Sequence, residues 1–565
     1  MQRSFLYFAE GPRPRWVLPA LLAVLFAGLL LRWTGLDYTL PAVRGHDERA
    51  LEIQVDPFRA GTQPPRGKEW ALDAYPHLLP RAIALLPDPE PELGPDASLK
   101  EHRAAAGAQW VQLRRVSAWL GWLMVPLTYL LARRFLQAPA ALFASALTAT
   151  SVLCISMSVQ AKPHAAAASL ELLTLLLALE HVRQPTAWRA LGLGIAGALA
   201  VGVLHSGWIV GPPLVLAFLL TALRARAWVW KPALAAALPV LASVWISYPF
   251  FMPGVQAAGD YTPRGTGLSG FLEFFSEGVG GARFGALFEG LLVLDPLLVL
   301  SGLLGLVLLV TGFRRDWLRE PATLLIAAFA LPYAAVLALH EGTLVRFLLP
   351  FAPLAALAAG FAFERLVLVP GRAPTLVLGA VLCLSAVPAA QFAWIRTQPD
   401  PLTRCADWIE ANIPHGDVIV FVPYGDLPLA YEREIALENA GASERSLWSE
   451  WQLEHPVQDP AHPHRPIRVE PGQRPQSRQQ LLADPRGYLE AVGARWVVID
   501  LSGGGSELFR DCAERVARFS PRRSDDGEDR GLSLAGTGWD RLRPGALRML
   551  RMHSFGTSVE VWKLR

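Results

Sequence analysis

Hydrophobic and polar segments alternate along most of the chain. Between residues 17 and 394, apolar runs nearly free of ionisable groups are separated by polar connections. The longest runs include Val17–Leu31, Ala118–Leu131, Ala190–Leu204, Leu300–Val310 and Leu376–Val387. Several approach the roughly 20 apolar residues that cross a hydrocarbon core, so the pattern predicts a mainly α polytopic membrane bundle of about 11 transmembrane helices.

Arginine placement predicts the orientation of this bundle. Alternate connections carry Arg133, Arg224 and Arg314, which places them in the cytoplasm. No small-x-small cleavage site follows the first run, so we expect it to stay as a helix with a cytoplasmic amino terminus. With the excess of Arg over Lys typical of high-GC bacteria, the expected location is the bacterial inner (plasma) membrane, with everything after Trp394 periplasmic.

The tail differs in composition from the rest of the chain. We predict a transmembrane domain at 1–395, which includes a periplasmic loop at 33–112, and a periplasmic α/β domain at 396–565. Within the tail, the patterns predict strands at 417–422, 495–500 and 558–564, helices at 406–412, 481–492 and 506–519, and a loop at 455–478.

The composition of the chain indicates which classes of binding partner to expect. The chain of 565 residues is 52% hydrophobic with a net charge of only +3, so the lipid bilayer is an expected partner and nucleic acid is not. Cys154 and Cys383 fall in apolar runs and are expected to serve packing. Cys405 and Cys512 lie in the tail, where they either pair in an oxidising compartment or stay separate thiols.

The arrangement of ionisable residues favours an enzyme over a transporter. They stand mostly at the predicted outer ends of helices, and the first outer loop is longer than a transporter needs. That loop contains His46, Asp47, Glu48 and Arg49. The two acids either cap a helix that begins there, or supply a general base tuned by the flanking His46 and Arg49.

Three further clusters lie on the predicted outer side. Tyr75 and His77 belong to an interfacial aromatic belt or to a site. Lys162 and His164 occupy a short turn, where they either snorkel at a helix end or bind an anion. Arg346 stands just inside an apolar run and needs a counter-ion. The neighbouring segment His340–Glu341 offers a carboxylate, and a bound phosphate is the alternative.

These segments resemble motifs of the GT-C superfamily of membrane glycosyltransferases, which includes protein O-mannosyltransferases and aminoarabinose transferases. His46–Glu48 is similar to the His-Pro-Asp-Glu motif without its Pro. Ala161–His164 resembles the Ala-Lys-Pro-Asp turn, with His in place of Asp. His340–Pro350 is similar to the His-Lys-Glu-x-Arg-Phe-x-x-Pro stretch, with a wider gap. The resemblance covers about residues 17–394 and includes the order of helix, long loop and outer tail.

The resemblance implies a hexosyl- or pentosyltransferase. It moves a sugar, with inversion, from polyprenyl phosphate to the hydroxyl or amine of an acceptor glycan, lipid or protein. Asp47 is the expected general base and Glu48 the second choice. Arg346, Lys162, His164 and His340 are the expected contacts of the donor phosphate.

Some features depart from the superfamily pattern. Tyr75–His77 stands where some members carry Lys-Pro-Pro, and His164 replaces an Asp, so contacts to the donor phosphate are expected to differ. No cofactor is certain. A divalent metal (Mg²⁺ or Mn²⁺) serves parts of the superfamily, but nothing here resembles a dedicated ligand set.

Two other functions remain open. A transporter or flippase of a lipid-linked substrate predicts essential residues near the bilayer midplane and tolerance of changes at Asp47. A non-catalytic membrane partner, whose tail recruits a periplasmic protein, predicts that both Asp47 and Glu48 are dispensable.

Overall fold

The computed structural model describes residues 15–42, 48–62, 76–89, 93–94, 96–226, 230–248, 284–311, 320–339, 345–367, 373–422, 426–442, 447–457, 464–469, 475–501, 506–522 and 549–565. The chain forms two compact units. The first unit contains Met1–Trp33, Asp47–Pro87 and Leu113–Ala390, and the second contains Thr34–His46, Asp88–Gln112 and Gln391–Arg565. The domain limits expected from the sequence, 1–395 and 396–565, stay a prediction.

The first unit is helical. Its helices, with two that extend into the second unit, are Val17–Trp33, Glu48–Arg59, Leu78–Ala84, Ala108–Trp122, Met124–Ala132, Ala138–Thr150, Val152–Ser158, His164–Arg183, Ala187–Val203, Gly211–Ala225, Trp230–Ser247, Phe284–Leu294, Pro296–Thr311, Pro321–Leu339, Phe351–Val367 and Ala373–Arg396. Short 3-10 helices span His205–Val210 and Val345–Leu348.

Several of these helices can cross a membrane. Among the described residues, six are long and apolar enough, and a bent pair makes a seventh. Three more are apolar but shorter: Val17–Trp33, Ala187–Val203 and Pro296–Thr311. Large apolar side chains on these helices stay exposed, including Phe26 at 68% and Leu223 at 74%. Such surfaces suit lipid rather than water, so the chain is a multi-pass membrane protein, and the count of 11 stays a prediction.

The bent pair is a helix broken at one residue. Ala138–Thr150 and Val152–Ser158 meet at an angle of 54° around Ser151. The buried Asp295 accepts hydrogen bonds from Val152 N (2.7 Å), Leu153 N (3.0 Å) and Ser151 Oγ (2.8 Å). A carboxylate at a helix amino terminus satisfies free N–H groups and matches the helix dipole. Asp295 therefore stabilises the start of the second piece.

Arg32 stabilises the other side of the break. It is fully buried and donates to the carbonyl oxygens of Thr148 (3.3 Å) and Ala149 (3.2 Å), at the carboxyl end of the first piece. Its Nε also reaches Ser158 Oγ at 3.3 Å, at the end of the second piece. The break thus carries a cation at its carbonyl side and an anion at its amide side, which is the favourable arrangement.

The second unit is built on a mixed sheet. Its strands are β1 (Val418–Val422), β2 (Arg465–Arg468), β3 (Ala494–Asp500), β4 (Ala513–Phe519) and β5 (Val559–Leu564), in the order β2-β1-β3-β5-β4. β1 pairs in parallel with β2 and β3, whereas β5 runs antiparallel between β3 and β4. Its helices are Leu99–Ala106, Pro401–Asn412, Arg433–Ala442, Leu447–Glu454, Pro475–Ala483 and Pro485–Ala491.

Three predictions for the tail were wrong. The helix expected at 506–519 is a short 3-10 turn, Ser506–Phe509, followed by strand β4. The helix expected at 481–492 is two helices, because Asp484 caps a new one through Gly487 N at 2.9 Å. The loop expected at 455–478 contains β2, an edge strand that tolerates Pro466 for that reason.

The tail cysteines do not pair. Cys405 belongs to a core cluster with Ile419 and Phe421 of β1, and Cys512 belongs to another with Val420 of the same strand. Because alternate residues of a strand point to opposite faces of a sheet, the two thiols lie on opposite faces. Both are free and buried, so the separate-thiol alternative is the observed one.

Candidate functional site

Glu48 is the centre of a buried ionic cluster in the first unit. It begins the helix Glu48–Arg59 and is only 1% exposed. Arg114 donates to both of its oxygens, Nε to Oε1 at 3.0 Å and Nη2 to Oε2 at 2.9 Å. The Ala161 N–H donates to Oε1 at 2.7 Å. This forked geometry is the strongest form of Arg–carboxylate pair, and it joins three segments that are distant in sequence.

The cluster keeps Glu48 ionised. Burial raises the pKa of its carboxyl, but Arg114, the Ala161 N–H and the nearby Lys162 together hold that pKa below its ordinary value. Three of the roughly four lone-pair positions of the carboxylate already accept hydrogen bonds. Glu48 is therefore better suited to hold the loop helix in position than to take up a proton.

Arg114 is the residue that sequence reasoning missed. It lies near the start of the helix Ala108–Trp122 and is 1% exposed. Arg114 and its neighbour Arg115 precede an apolar run on its predicted outer side. An arginine at the start of an apolar run requires an anion. This position was the signal from which a pair between Arg114 and an acid of the first loop could have been predicted.

The Gln160–His164 turn lies against Glu48. Lys162 is 5% exposed and His164 is 4% exposed, so both expected donor contacts are inside the unit. The turn follows directly from the short helix that Asp295 and Arg32 stabilise. Gly121 permits the close packing of that helix, since a Cβ there would stand 2.2 Å from Ser158 Oγ.

His164 links the turn to the segment that contains Arg346. Its ring lies 5.5 Å from the ring of Phe347, and the Arg346 guanidinium carbon stands 5.4 Å from the same ring. Tyr333 donates its hydroxyl to the Phe347 carbonyl at 2.7 Å and fixes the 3-10 turn. The structure thus brings Glu48, Lys162, His164 and Arg346 into one continuous region.

His77 stands apart from this region. Its ring packs 5.6 Å from that of Phe58, over which Arg81 also lies at 4.6 Å. Phe58 is ten residues beyond Glu48 on the same helix, about 15 Å along its axis. Arg49 is on that helix too, half-buried beside Glu48. The structure therefore brings Arg49 but not His77 near the ionic cluster.

Five predicted site residues lie outside the described part of the chain. They are His46, Asp47, Tyr75, His340 and Glu341. Their roles stay predictions, including the role of Asp47 as the base and that of Glu341 as a counter-ion of Arg346.

The region can bind an anion beside a carboxylate. It contains two buried cations, Arg114 and Lys162, and a partly exposed third, Arg346. Arg114 forms an ion pair with Glu48. His164 adds a titratable donor. This combination of a fixed acid next to a cationic, largely buried turn suits a phosphate-bearing substrate.

No family model matches the chain, and no curated protein matches it. Among solved structures, it is similar to the Archaeoglobus fulgidus oligosaccharyltransferase AglB in complex with an inhibitory peptide and a dolichol-phosphate. The TM-score is 0.44 at 12% identity over 90% of this chain and 73% of that one. It is also similar to Cupriavidus metallidurans ArnT bound to undecaprenyl phosphate, with TM-score 0.48 at 13% identity over 89% and 96%.

A third match covers less of the chain. It is the S. cerevisiae protein O-mannosyltransferase Pmt1-Pmt2 complex bound to the sugar donor, with TM-score 0.32 at 14% identity over 41% of this chain and 32% of that one. Each of these three matches has a TM-score below 0.5 and an identity of 14% or less.

Proposed function

We propose that this protein is an inverting membrane glycosyltransferase. It transfers a sugar from a polyprenyl-phosphate donor to an extracytoplasmic glycan, lipid or protein, at the periplasmic face of the bacterial inner membrane. Asp47 is the general base, and Glu48 positions it.

The ionic cluster of Glu48, Arg114 and the Ala161 N–H carries this proposal. Asp47 is the neighbour of Glu48 in the sequence, and the cluster fixes Glu48. The same cluster fixes the turn with Lys162. An acid and a cation are thereby tethered to one point, which is what transfer from a phosphate to a hydroxyl requires.

Two cations and an imidazole serve the leaving group. When the bond between the anomeric carbon and the phosphate oxygen breaks, the polyprenyl phosphate gains negative charge, and fixed cations beside it lower the barrier. Lys162 and His164 are buried at the turn, and Arg346 reaches the same region through the ring of Phe347. Arg346 can grip a phosphate with two parallel N–H donors.

The acceptor supplies the electrons for the new bond. Its hydroxyl oxygen attacks the anomeric carbon from the face opposite the phosphate, so the configuration inverts, and its proton passes to Asp47. Glu48 stays ionised and paired with Arg114 throughout. Buried surroundings at the turn limit water and hence hydrolysis of the donor.

A divalent metal does not suit Glu48. Both oxygens of this carboxylate accept hydrogen bonds from Arg114, and Oε1 also accepts one from Ala161 N. Of the two first-loop acids, only Asp47 is therefore left as a candidate ligand of the Mg²⁺ or Mn²⁺ that serves parts of the superfamily. No step of the proposed reaction uses a metal.

Lipid-linked sugar pools test this function. Cells without the protein should accumulate one polyprenyl-phosphate sugar and lose the matching sugar from a periplasmic or surface acceptor. Restoring the protein should reverse both changes. Unchanged pools and unchanged glycans in cells without the protein would reject the proposal. The sugar that accumulates identifies the donor.

Two buried titratable residues favour a transporter as the second candidate. Glu171 and His181 are fully buried on the helix His164–Arg183, the most enclosed of the candidate spans. Ionisable residues within a span mark ion or substrate paths in transporters. Under that alternative, Glu171→Gln abolishes function and Asp47→Asn does not, whereas the proposed transferase predicts the reverse order of sensitivity.

A further inference from the structure

Three potential metal ligands meet at one edge of the second unit. Glu410 lies near the end of the helix Pro401–Asn412, His415 follows in the connection to β1, and His464 immediately precedes β2. One donor atom from each lies within 4.8 Å of the others. The sheet explains this proximity, because β1 and β2 pair in parallel with Val418 opposite Arg465, so the residues that enter the two strands are neighbours.

His464 has a polar ring in an enclosed place. Its side chain is 1% exposed, yet neither ring nitrogen makes a hydrogen bond to any described residue. Glu410 Oε1 also lacks a hydrogen-bond partner within the described part of the chain. The closest approach, His464 Nε2 to Glu410 Oε2, is 3.7 Å, too long for a hydrogen bond. Buried polar groups in this state are costly unless a ligand satisfies them.

A simple ion pair explains the arrangement less well. Pairing with Glu410 requires a protonated His464, whose ring centroid lies 4.9 Å from that of His415. An ion pair with Glu410 would also leave one nitrogen of the buried ring without a partner within the described part of the chain. A metal ion instead binds both imidazoles in their neutral form together with the carboxylate.

We propose that Glu410, His415 and His464 bind one Zn²⁺ ion. Two imidazoles and a carboxylate are a common donor set of zinc sites with three protein ligands, with the fourth position left to water. Ligands at about 2.1 Å in a tetrahedron lie about 3.4 Å apart, close to the observed 3.7 Å between Nε2 and Oε2. His415 is exposed, so the ion has a route from solvent.

The ion would join two elements of the fold. β2 is an edge strand of only four residues, Arg465–Arg468, held through β1. A zinc bridge from His464 to the end of the helix Pro401–Asn412 fastens the start of this strand. This site is separate from the glycosyl-transfer residues, so the two proposals stand or fall independently.

Zinc titration of the full-length protein tests the site. The protein is purified in detergent, stripped with a chelator and titrated with Zn²⁺ against a chromophoric competitor. All variants carry Asp47→Asn, so that the first-loop acid cannot contribute. One equivalent should bind tightly, and His415→Ala or Glu410→Gln should weaken it by at least about tenfold, since even losing an outer-shell partner of a metal ligand costs that much.

Controls separate ligand loss from unfolding. His455→Ala alters a partly exposed histidine of the same unit that stacks on Trp451 outside the cluster, and it should bind Zn²⁺ like the parent. Without metal, His415→Ala should unfold at the parent temperature, because that side chain is exposed. Added Zn²⁺ should raise the melting temperature of the parent and not that of His415→Ala. Equal zinc affinity in the parent, His415→Ala and Glu410→Gln would overturn the site, as would no zinc binding by the parent.

Discussion

Glu48 and Asp47 are adjacent acids, of which the structure describes only Glu48. The carboxylate of Glu48 accepts hydrogen bonds from Arg114 and from the Ala161 N–H, and its pKa is held below its ordinary value despite burial. A general base needs a lone pair free to accept a proton. Of the two acids, we therefore propose Asp47 for the proton transfer and Glu48 for the positioning.

We expect Glu48→Gln to destabilise the protein. The Gln oxygen can still accept from Ala161 N, but the buried ion pair with Arg114 is broken, which typically costs about 3–5 kcal/mol. Thermal unfolding in detergent measures the loss. Adding Arg114→Met should recover part of it by removing the other charge of the broken pair. Asp56→Asn, on the exposed side of the same helix, should unfold like the parent. If Glu48→Gln also unfolds like the parent, the cluster is not structural.

Arg346→Lys should weaken donor binding. Lysine keeps the charge but loses the fork that matches a phosphate, so the apparent KM for the donor should rise about tenfold while folded yield stays unchanged. Arg365→Lys is the matched control, because Arg365 also lies over a phenylalanine, Phe361, at 5.0 Å. It should leave KM unchanged.

The alternative partner of Arg346 gives a different result. If Glu341 is its counter-ion, Arg346→Ala should lower the yield of folded protein, and adding Glu341→Ala should recover it. A double variant that regains both yield and activity would contradict donor binding by Arg346.

The sequence motifs predicted the region around Glu48 but not its pairing with Arg114. The segments with Glu48, Lys162, His164 and Arg346 were selected from sequence, and the structure brings these four residues together. Arg114 was missed because it stands inside the helix Ala108–Trp122 and not in one of the polar connections where the motifs were found. Its partner is 66 residues away in the chain, a separation that no local pattern encodes.

At the scale of elements, the broken helix determines where the Gln160–His164 turn lies. Its short piece, Val152–Ser158, depends on Asp295 for its amino terminus and on Arg32 at its end. The apolar pattern predicts only a continuous run there. The break is stabilised by charges from helices far away in the sequence and by the local cap of Ser151, whose Oγ accepts from Cys154 N at 3.1 Å, so the local sequence carries only part of the signal.

Asp295→Ala should destabilise the start of the short helix Val152–Ser158. The N–H groups of Val152 and Leu153 would lose their acceptor, at about 1–3 kcal/mol for each group that stays buried and unpaired. Asp295→Asn should be milder because one oxygen still accepts. Ser301→Ala is the control, since Ser301 in the helix Pro296–Thr311 bonds only carbonyls of its own helix. Thermal unfolding ranks the variants, and equal values for Asp295→Ala and Ser301→Ala would contradict this role.

The strands of the tail were predictable where burial is strong. β1, β3 and β5 are rich in β-branched and aromatic residues and lie in the core. β4 was mistaken for a helix because, after its first residue, it is exposed or half-buried and carries charges at irregular spacing. The second helix at Pro485–Ala491 was readable from its Asp-Pro start, a capping signal that the hydrophobic pattern obscured.

At the scale of the whole molecule, the expected topology rests on arginine placement and is testable by labelling. In a Cys383→Ala background, Glu507→Cys in the tail should react with an impermeant thiol reagent from the periplasm, and Gln184→Cys in an Arg-bearing connection should not. Both positions are exposed, and the remaining native cysteines are buried. If only Gln184→Cys is labelled, the orientation in the membrane is the opposite of the one predicted.

The rate of sugar transfer by the Asp47→Asn protein tests the central claim most directly. Asparagine keeps the shape and can still cap a helix, so a fold defect is not expected. Purified parent, Asp47→Asn and the control Asp56→Asn are compared with the polyprenyl-phosphate sugar that accumulates in cells without the protein. We predict a loss of about 10²- to 10⁴-fold for Asp47→Asn, typical of a missing general base, and no loss for Asp56→Asn. Transfer by Asp47→Asn within about threefold of the parent would contradict it.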